Sequence, residues 1–331
     1  MARPVDLVTF GEAMVRLSPP GFARLEQAAA FEVQVGGSEL NTAVTAQRLG
    51  IATRFVTRLP RSPIGRLVHN KIAEHEVDGS HIAWTDDDRV GLYFLEFGAS
   101  PRPSAVLYDR GNSAISRIQQ DDIDWATALE GARCFHTTGI TAALSANAGE
   151  AVQRAIQVAQ HMGLLVSFDL NYRKRLWSQD AARAFLTPLM EHVDVLFTTE
   201  EDAERVFGIA TKDYSTLPAE LVSRLGLRMA IVTVRANLSI WRNRWTAIAH
   251  DGATLYRTDE YELELVDRVG GGDALVGGFL SAHLREESIQ ACLDLAVATS
   301  ALAQTNPGDL NWSTLEEAKR LLEGGGKRID R

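Results

Sequence analysis

The sequence predicts an α/β fold, a mostly parallel central sheet flanked by helices, with a small β sheet standing off it. Three observations carry this reading. From about residue 121, short apolar runs alternate with helical segments, the pattern of βαβ units whose strands pair in parallel. Several apolar runs end at a glycine or an acid, as buried strands do at the polar edge of a sheet. Between Val90 and Tyr108 the texture changes to two strand-like runs around a Gly/Pro/Ser/Arg connection, which fits a long hairpin.

In chain order, Leu7 to Phe10 is a buried strand ending at Gly11. Gly36-Gly37-Ser38-Glu39-Leu40-Asn41 leads into a helix from about Leu40 to Leu49, with Gly50 placed to stop it. Arg54 to Thr57 is the next strand and 65–76 the next helix. Gly91 to Phe97 and Ser104 to Tyr108 are the hairpin strands. The segment Arg16 to Phe31, with two prolines, a glycine and short apolar stretches, is expected to join them in the small sheet. Strands follow at Ala132–His136, Leu164–Phe168, Val193–Phe197 and Met229–Val234, with a helix over Ser145–His161 and helical segments between. Beyond Asp273 the chain reads as mainly helical. No repeat, low-complexity tract or Pro/Gly-rich linker divides it, so residues 1–331 read as one α/β domain, with a lid from about 12–35 and 90–115.

Composition narrows the function. Lys plus Arg is 34 against 43 Asp plus Glu, a net charge of −9. That balance argues against a nucleic-acid or membrane-surface partner and leaves room for a local basic pocket. Cys134 and Cys292 lie far apart in apolar contexts and read as buried free thiols. The first residues lack the apolar core of a signal peptide, and no apolar run is long enough to span a bilayer. A reducing cytoplasm is the expected compartment.

The most informative stretch is Val266-Asp267-Arg268-Val269-Gly270-Gly271-Gly272-Asp273-Ala274. Three glycines and an acid before an apolar small-residue helix describe a helix N-terminus with bare N–H groups, a place for an anion. The acid at its edge is placed to take a proton from a substrate hydroxyl. A solvent loop would look the same on these four residues alone. Ligands of open α/β sheets gather at the carboxyl ends of strands. Asp169 to Arg173, Thr198 to Asp202 and Arg235 to Asn237 fall at such ends, either as site residues or as capped polar loops. Tyr108-Asp109-Arg110-Gly111-Asn112-Ser113 is either a solvated turn or a lid edge that offers Arg110 to a carboxylate or phosphate.

Two signatures then stand together. Gly36-Gly37-Ser38-Glu39-Leu40-Asn41-Thr42-Ala43 through Arg48-Leu49-Gly50 resembles the N-terminal signature of the PfkB/ribokinase-like carbohydrate kinases. Asp267 to Asp273 resembles their C-terminal signature, usually Asp-Thr-x-Gly-Ala-Gly-Asp. Their order, their separation and the βαβ pattern between them agree over essentially the whole chain. Within that family, Asp6 to Met14, Gly91-Leu92-Tyr93, Tyr108-Asp109-Arg110, Asp169 to Trp177 and Pro307-Gly308-Asp309 are similar to segments of 2-keto-3-deoxygluconate kinases.

The resemblance implies a ribokinase-like fold and ATP- and Mg²⁺-dependent phosphorylation of a sugar acid. It implies that Gly37, Asn41, Tyr93, Tyr108, Arg110, Arg173 and Asp309 face the sugar acid, and that Asp273 is the base beside an anion hole of Gly270, Gly271 and Gly272. Arg235, with Gly270 and Gly272, would serve the nucleotide, and Asp202 would stand near the metal. The chain departs from the family pattern in three places. Asp109 stands where relatives often carry a second tyrosine. The Asn-x-x-Glu motif becomes Thr199-Glu200-Glu201-Asp202, and the Lys-x-Gly-x-x-Gly nucleotide loop becomes Thr233-Val234-Arg235-Ala236-Asn237-Leu238-Ser239 without either glycine. Alternatives are a kinase for a neutral sugar, a degenerate kinase acting as a sugar-binding sensor, and a nucleoside kinase on the same fold. A small exposed sheet favours a homodimer or higher homo-oligomer.

Overall fold

A computed structural model describes residues 5–211 and 213–324. The chain enters through β1 (Leu7–Phe10), makes β2 (Met14–Ser18) and β3 (Glu32–Gly36), and turns into α1 (Ser38–Arg48). Next come β4 (Thr53–Pro60), α2 (Pro63–Glu74), β5 (Ile82–Thr85), β6 (Gly91–Glu96) and β7 (Ala105–Asp109). The middle of the chain alternates α3 (Trp125–Ala128), β8 (Cys134–Thr138), α4 (Gly139–Ala142), α5 (Ala146–His161), β9 (Leu165–Asp169), α6 (Gln179–Leu189), β10 (Val195–Thr199), α7 (Glu200–Phe207) and α8 (Leu217–Leu225). It closes with β11 (Met229–Asn237), β12 (Arg242–His250), β13 (Leu255–Arg257), β14 (Tyr261–Glu264), α9 (Gly271–Leu284), α10 (Ile289–Ala303) and α11 (Leu315–Leu322).

Among the described residues the larger sheet has ten strands, in the order β13-β12-β11-β10-β9-β8-β1-β4-β5, with β14 also on β12. From β5 to β11 every pairing is parallel; β12, β13 and β14 extend it antiparallel. Period two along these strands feeds two cores. Val8, Phe10, Phe135, Phe168 and Leu196 face a cluster that includes Val152, Ala155 and Ile156 of α5. Leu7, Cys134, Val195 and Phe197 face one that includes Leu275 and Phe279 of α9 and Val297 of α10. Phe197 meets Phe279 edge-on at 5.5 Å. Burying such a ring contributes on the order of 2–3 kcal/mol.

Helix α9 is buried along nearly its whole length, so its position is fixed by packing on all sides. Small residues permit this. A Cβ at Gly277 would lie 2.7 Å from the Thr45 side chain, and one at Gly278 would lie 2.9 Å from the Ala296 backbone.

The second sheet has the order β3-β2-β6-β7, with β6 and β7 an antiparallel hairpin, as the sequence predicts. Its Arg16, Tyr93 and Tyr108 stand in register on one face. The hairpin turn between β11 and β12 packs on this sheet through Trp241, whose ring lies 5.6 Å from Phe22 and 5.8 Å from Phe97.

One sequence expectation needs correction. Residues 233–237 are not a loop: β11 continues through Arg235 to Asn237, paired with β12. Without the glycines that would bend it, the chain stays extended. The antiparallel strands after it escape a pattern search because β13 has three residues, β14 alternates with Glu262 and Glu264, and β12 opens on Arg242-Asn243-Arg244 and carries Thr246 among its buried residues. Among the described residues, no helix is long and apolar enough to cross a membrane.

Candidate active site

The carboxyl ends of the parallel strands open onto a cleft of about 470 Å³, closed on one side by the small sheet and floored by the start of α9. Gly270 caps that helix in the left-handed region (φ 81°), and no side chain takes the first N–H groups. A Cβ at Gly270 would collide with the Asp309 carbonyl oxygen, so both backbone angle and space demand glycine here. A Cβ at Gly271 would press on the Gln304 side chain at 2.9 Å, whereas nothing lies within 4 Å of one at Gly272. The exposed turn therefore has donors and room, the two requirements for an anion.

Asp273 follows, buried, in the first turn of α9. Its Oδ1 accepts from Ser38 Oγ at 2.6 Å and its Oδ2 from Asn41 Nδ2 at 2.7 Å. Both donors belong to α1, whose N-cap Gly37 passes so close to the Glu12 carbonyl oxygen that a Cβ there would overlap it. The two glycine signatures thus meet, and their meeting point is a carboxylate. Burial raises the Asp273 pKa, partly opposed by those hydrogen bonds and the charge of Arg173.

Other acids crowd the same wall. Asp169, at the end of β9, accepts from the backbone N–H and Nδ2 of Asn171, and Asn171 Nδ2 also donates to Ser38 Oγ at 3.1 Å. Burial, and then the nearby charge of Asp273, push Asp169 well above the usual carboxylate range. Asp202 accepts from the Tyr172 N–H at 3.3 Å, and burial raises its pKa against the pull of Arg173. Thr199 acts as the N-cap of α7, accepting from the Asp202 N–H at 3.1 Å, so its role here is local capping. Arg173 is exposed beside these carboxylates, and its Nη1 donates to the Tyr172 carbonyl. Among the described residues no group of three or more His, Cys, Asp or Glu is arranged to hold a metal ion.

On the small-sheet side, Tyr108 is exposed, and the Arg110 guanidinium lies 5.3 Å from its ring centroid. Arg110 is paired with the buried Glu12, which also accepts from Ser113 Oγ at 2.6 Å. The Arg110 Nε is buried and has no partner. Tyr93 and Asp309 line the cleft but are hydrogen-bonded to each other, and both are almost wholly buried. Asp109 points elsewhere, in an exposed ion pair with Arg89. At the other end Arg235 and Arg268 are exposed at the cleft; burial and the charge of Arg235 lower the pKa of Arg268.

The family model for pfkB carbohydrate kinases matches residues 5–316. The chain belongs to this family of carbohydrate kinases. The 2-dehydro-3-deoxygalactonokinase of Haloferax volcanii is 39% identical over 326 residues, 98% of this chain and 99% of that protein. The crystal structure of the 2-dehydro-3-deoxygluconokinase of Thermotoga maritima superimposes with a TM-score of 0.94 at 38% identity, covering 97% of this chain and 100% of that one. A putative ribokinase II from E. coli, solved with ATP and Mg²⁺, shares the fold alone, with a TM-score of 0.85 at 21% identity over 97% and 99% of the two chains. The ribokinase-like fold predicted from sequence is thereby established.

In this carbohydrate kinase the cleft brings together every predicted site residue: Gly37, Asn41, Tyr93, Tyr108, Arg110, Arg173, Asp202, Arg235, Gly270, Gly271, Gly272, Asp273 and Asp309. Sequence reasoning gives no role to Ser38, Glu12 and Glu39, although Ser38 and Glu39 lie inside the N-terminal glycine signature; Asp169, which it places at a strand end as a site residue or a capped polar loop, lines the cleft. Glu39 is fully buried behind Asp273. Its Oε1 accepts from the Thr138 N–H and from the hydroxyls of Thr138 and Thr141, and a Cβ at Gly11 would overlap its carboxylate. Burial raises its pKa from 4.5 to about 7 despite those donors. A raised folded-state pKa means the folded state holds the proton more tightly. This contribution to stability is complete below about pH 4.5 and is lost as pH rises through about 7. Glu39→Gln keeps the acceptor oxygen and removes the ionisation. Its thermal midpoint relative to wild type should therefore rise between pH 5 and pH 8, by an amount reflecting up to about 3 kcal/mol. A pH-independent difference in melting scans would contradict this.

Proposed function

We propose that this carbohydrate kinase transfers the γ-phosphoryl group of ATP to a hydroxyl of a 2-keto-3-deoxy sugar acid, at the 6-position if the acid is 2-keto-3-deoxygluconate, with Asp273 as base. The observation that carries the reading is the Asp273 carboxylate, held by Ser38 and Asn41 from one signature at the mouth of the glycine turn from the other. The named activities of the Haloferax and Thermotoga relatives support the substrate class, and they leave the gluconate and galactonate epimers as alternatives. The Arg110 guanidinium at the cleft supports an acid over a neutral sugar, because its charge pairs with a carboxylate.

The work divides among the residues of the cleft. Arg110, Arg173 and Tyr108 bind and orient the sugar acid, with Gly37, Asn41, Tyr93 and Asp309 shaping its pocket. Asp273 accepts the hydroxyl proton at a carboxylate oxygen as the substrate oxygen attacks phosphorus. The N–H groups of Gly271, Gly272 and Asp273, with Arg235 and Arg268, meet the negative charge of the transferred group. The open space at Gly272 and the two exposed arginines fit a polyphosphate. Asp202, at the cleft, would be the residue that holds Mg²⁺, which would supply charge neutralisation for the phosphates. The small sheet serves as a lid that excludes water. Its outer face exposes Val33 and Leu107, which a second copy of the chain would cover. The buried free thiols Cys134 and Cys292 suit a cytoplasmic enzyme.

The test is ATP consumption by the purified protein against 2-keto-3-deoxygluconate, 2-keto-3-deoxygalactonate, gluconate, fructose, ribose and adenosine. Turnover confined to the keto-deoxy acids supports the reading. Preference for a neutral sugar or a nucleoside, or binding without turnover, overturns it.

A further inference from the structure

A buried cluster joins the small sheet to the glycine turn. Arg16 lies in β2 with its side chain 2% exposed. Its Nε donates to Ser18 Oγ at 3.0 Å, its Nη1 to Asp309 Oδ2 at 2.9 Å, and its Nη2 pairs with Asp267 Oδ2 at 2.7 Å. Three edges of one planar fork are used, a set that an ammonium group on a lysine stem cannot reproduce. Asp267 opens the C-terminal signature. Its Oδ1 accepts from the Val269 N–H and its Oδ2 from the Gly308 N–H, both at 3.1 Å. It therefore ties the turn that ends at Gly270 to the segment carrying Asp309. Asp309 in turn accepts from the Tyr93 hydroxyl of β6.

Stability alone does not account for this cluster. One guanidinium and two carboxylates taken out of water bear a heavy desolvation penalty, and apolar residues of similar volume are often as stable or more so. What the ionic cluster provides and an apolar side chain would not is a fixed relation between Asp267, which holds the turn just before Gly270, and Asp309, whose backbone carbonyl lies against Gly270.

We propose that Arg16 is a positioning residue for phosphoryl transfer, holding the sugar-side carboxylate of Asp309 and the turn carboxylate of Asp267 in register so that one side chain sets the small sheet against the anion-binding turn. This rests on the reading that Asp309 shapes the sugar pocket and the glycine turn receives the phosphoryl group. Without Arg16, Asp267 loses its anchor and the 267–272 turn loosens. Asp309 also loses its counter-charge. The groups facing Asp309 are Arg16 from β2, Tyr93 from β6 and Asp267 from the turn; burial raises its pKa to about 6 even with Arg16 opposing. With Arg16 gone it remains protonated to higher pH.

The experiment compares Arg16→Met and Arg16→Lys with the wild type. Melting temperature reports the fold, hydrogen exchange of the 267–272 amides without substrate reports the turn, and kcat and KM for the sugar acid are taken from pH 6 to 9. Arg16→Met is expected to melt below the wild type, because it leaves Asp267 and Asp309 buried without their counter-charge, and to exchange the 267–272 amides at least about tenfold faster. It should lose about tenfold or more in kcat, and its KM should be raised roughly tenfold at pH 7 and recover toward pH 9. Arg16→Lys, which keeps one charge, should restore much of the KM profile but not kcat. A folded Arg16→Met protein with wild-type exchange and a wild-type KM profile overturns the proposal. If Arg16→Met does not fold, wild-type kcat and exchange in Arg16→Lys overturn it equally. Failure of the underlying reading looks different: Asp309→Asn would leave the sugar KM unchanged while the exchange measurement still tests Arg16.

Discussion

Asp273→Asn is expected to lower kcat by on the order of 10²–10⁴ while leaving KM for the sugar nearly unchanged. The substitution is close to isosteric, and the surroundings tolerate it. The amide oxygen can accept from Asn41 Nδ2, and the amide nitrogen can donate to Ser38 Oγ, so both anchors now at 2.7 and 2.6 Å survive. What disappears is basicity, and with it the ability to take up the hydroxyl proton as the new P–O bond forms. Burial has already lifted the Asp273 pKa, which moves an otherwise weak base toward the working pH. The acid limb of the wild-type kcat profile should accordingly lie above the ordinary carboxylate range, with activity falling as pH drops through it. That limb should vanish in the variant. Steady-state kinetics at saturating ATP over pH 5 to 9 provide the check, and turnover near wild type would remove Asp273 from the role of base. Gly270 to Gly272 and Arg235 would remain as charge stabilisers in Asp273→Asn, which is why the expected rate is low rather than zero.

The fold is legible in the sequence because parallel strands buried on both faces write themselves as apolar runs, and because glycines at 37 and 270 mark places where backbone must approach backbone. The sites those glycines create are legible for the same reason. Acids and arginines inside strands are harder to read. Arg16 sits in Met14-Val15-Arg16-Leu17-Ser18, where alternation reads a charged residue as facing solvent; in the structure that face is covered, and the charge is answered by Asp267 and Asp309, remote in sequence. Glu39 looks like an ordinary acid in the first turn of a helix, yet its partners Thr138 and Thr141 arrive from a crossover about a hundred residues later. The stretch at 233–237 resembles an altered loop because a glycine pair is missing, when the simpler outcome is that a strand without glycines continues. In each case the missing information is a long-range partner, which a single sequence does not carry.

Arg110→Ala is expected to raise KM for a sugar acid by roughly 10- to 100-fold and KM for a neutral ketose such as fructose by far less. The charge is well placed to meet a carboxylate, since Arg110 lines the cleft and lies against the Tyr108 ring. The structure adds a complication, because Glu12 already neutralises part of that charge and is itself 2% exposed. Removing the arginine therefore does two things. It takes away a donor for the substrate carboxylate, and it leaves a buried carboxylate at 12 whose negative charge repels an anionic ligand. The two effects separate in the double variant. Glu12→Gln in the Arg110→Ala background abolishes the repulsion and cannot restore the donor. Partial recovery of KM for the acid is the expected outcome. Full recovery would mean that Arg110 acts chiefly by masking Glu12, and no recovery would mean that the contact with substrate carries the whole effect. Equal losses for acid and neutral sugars in Arg110→Ala would count against a carboxylate contact altogether. The electrostatic reading also fixes the salt dependence: KM for the acid should rise with ionic strength in the wild type and rise less steeply in the double variant, where Arg173 is the sugar-side charge that remains.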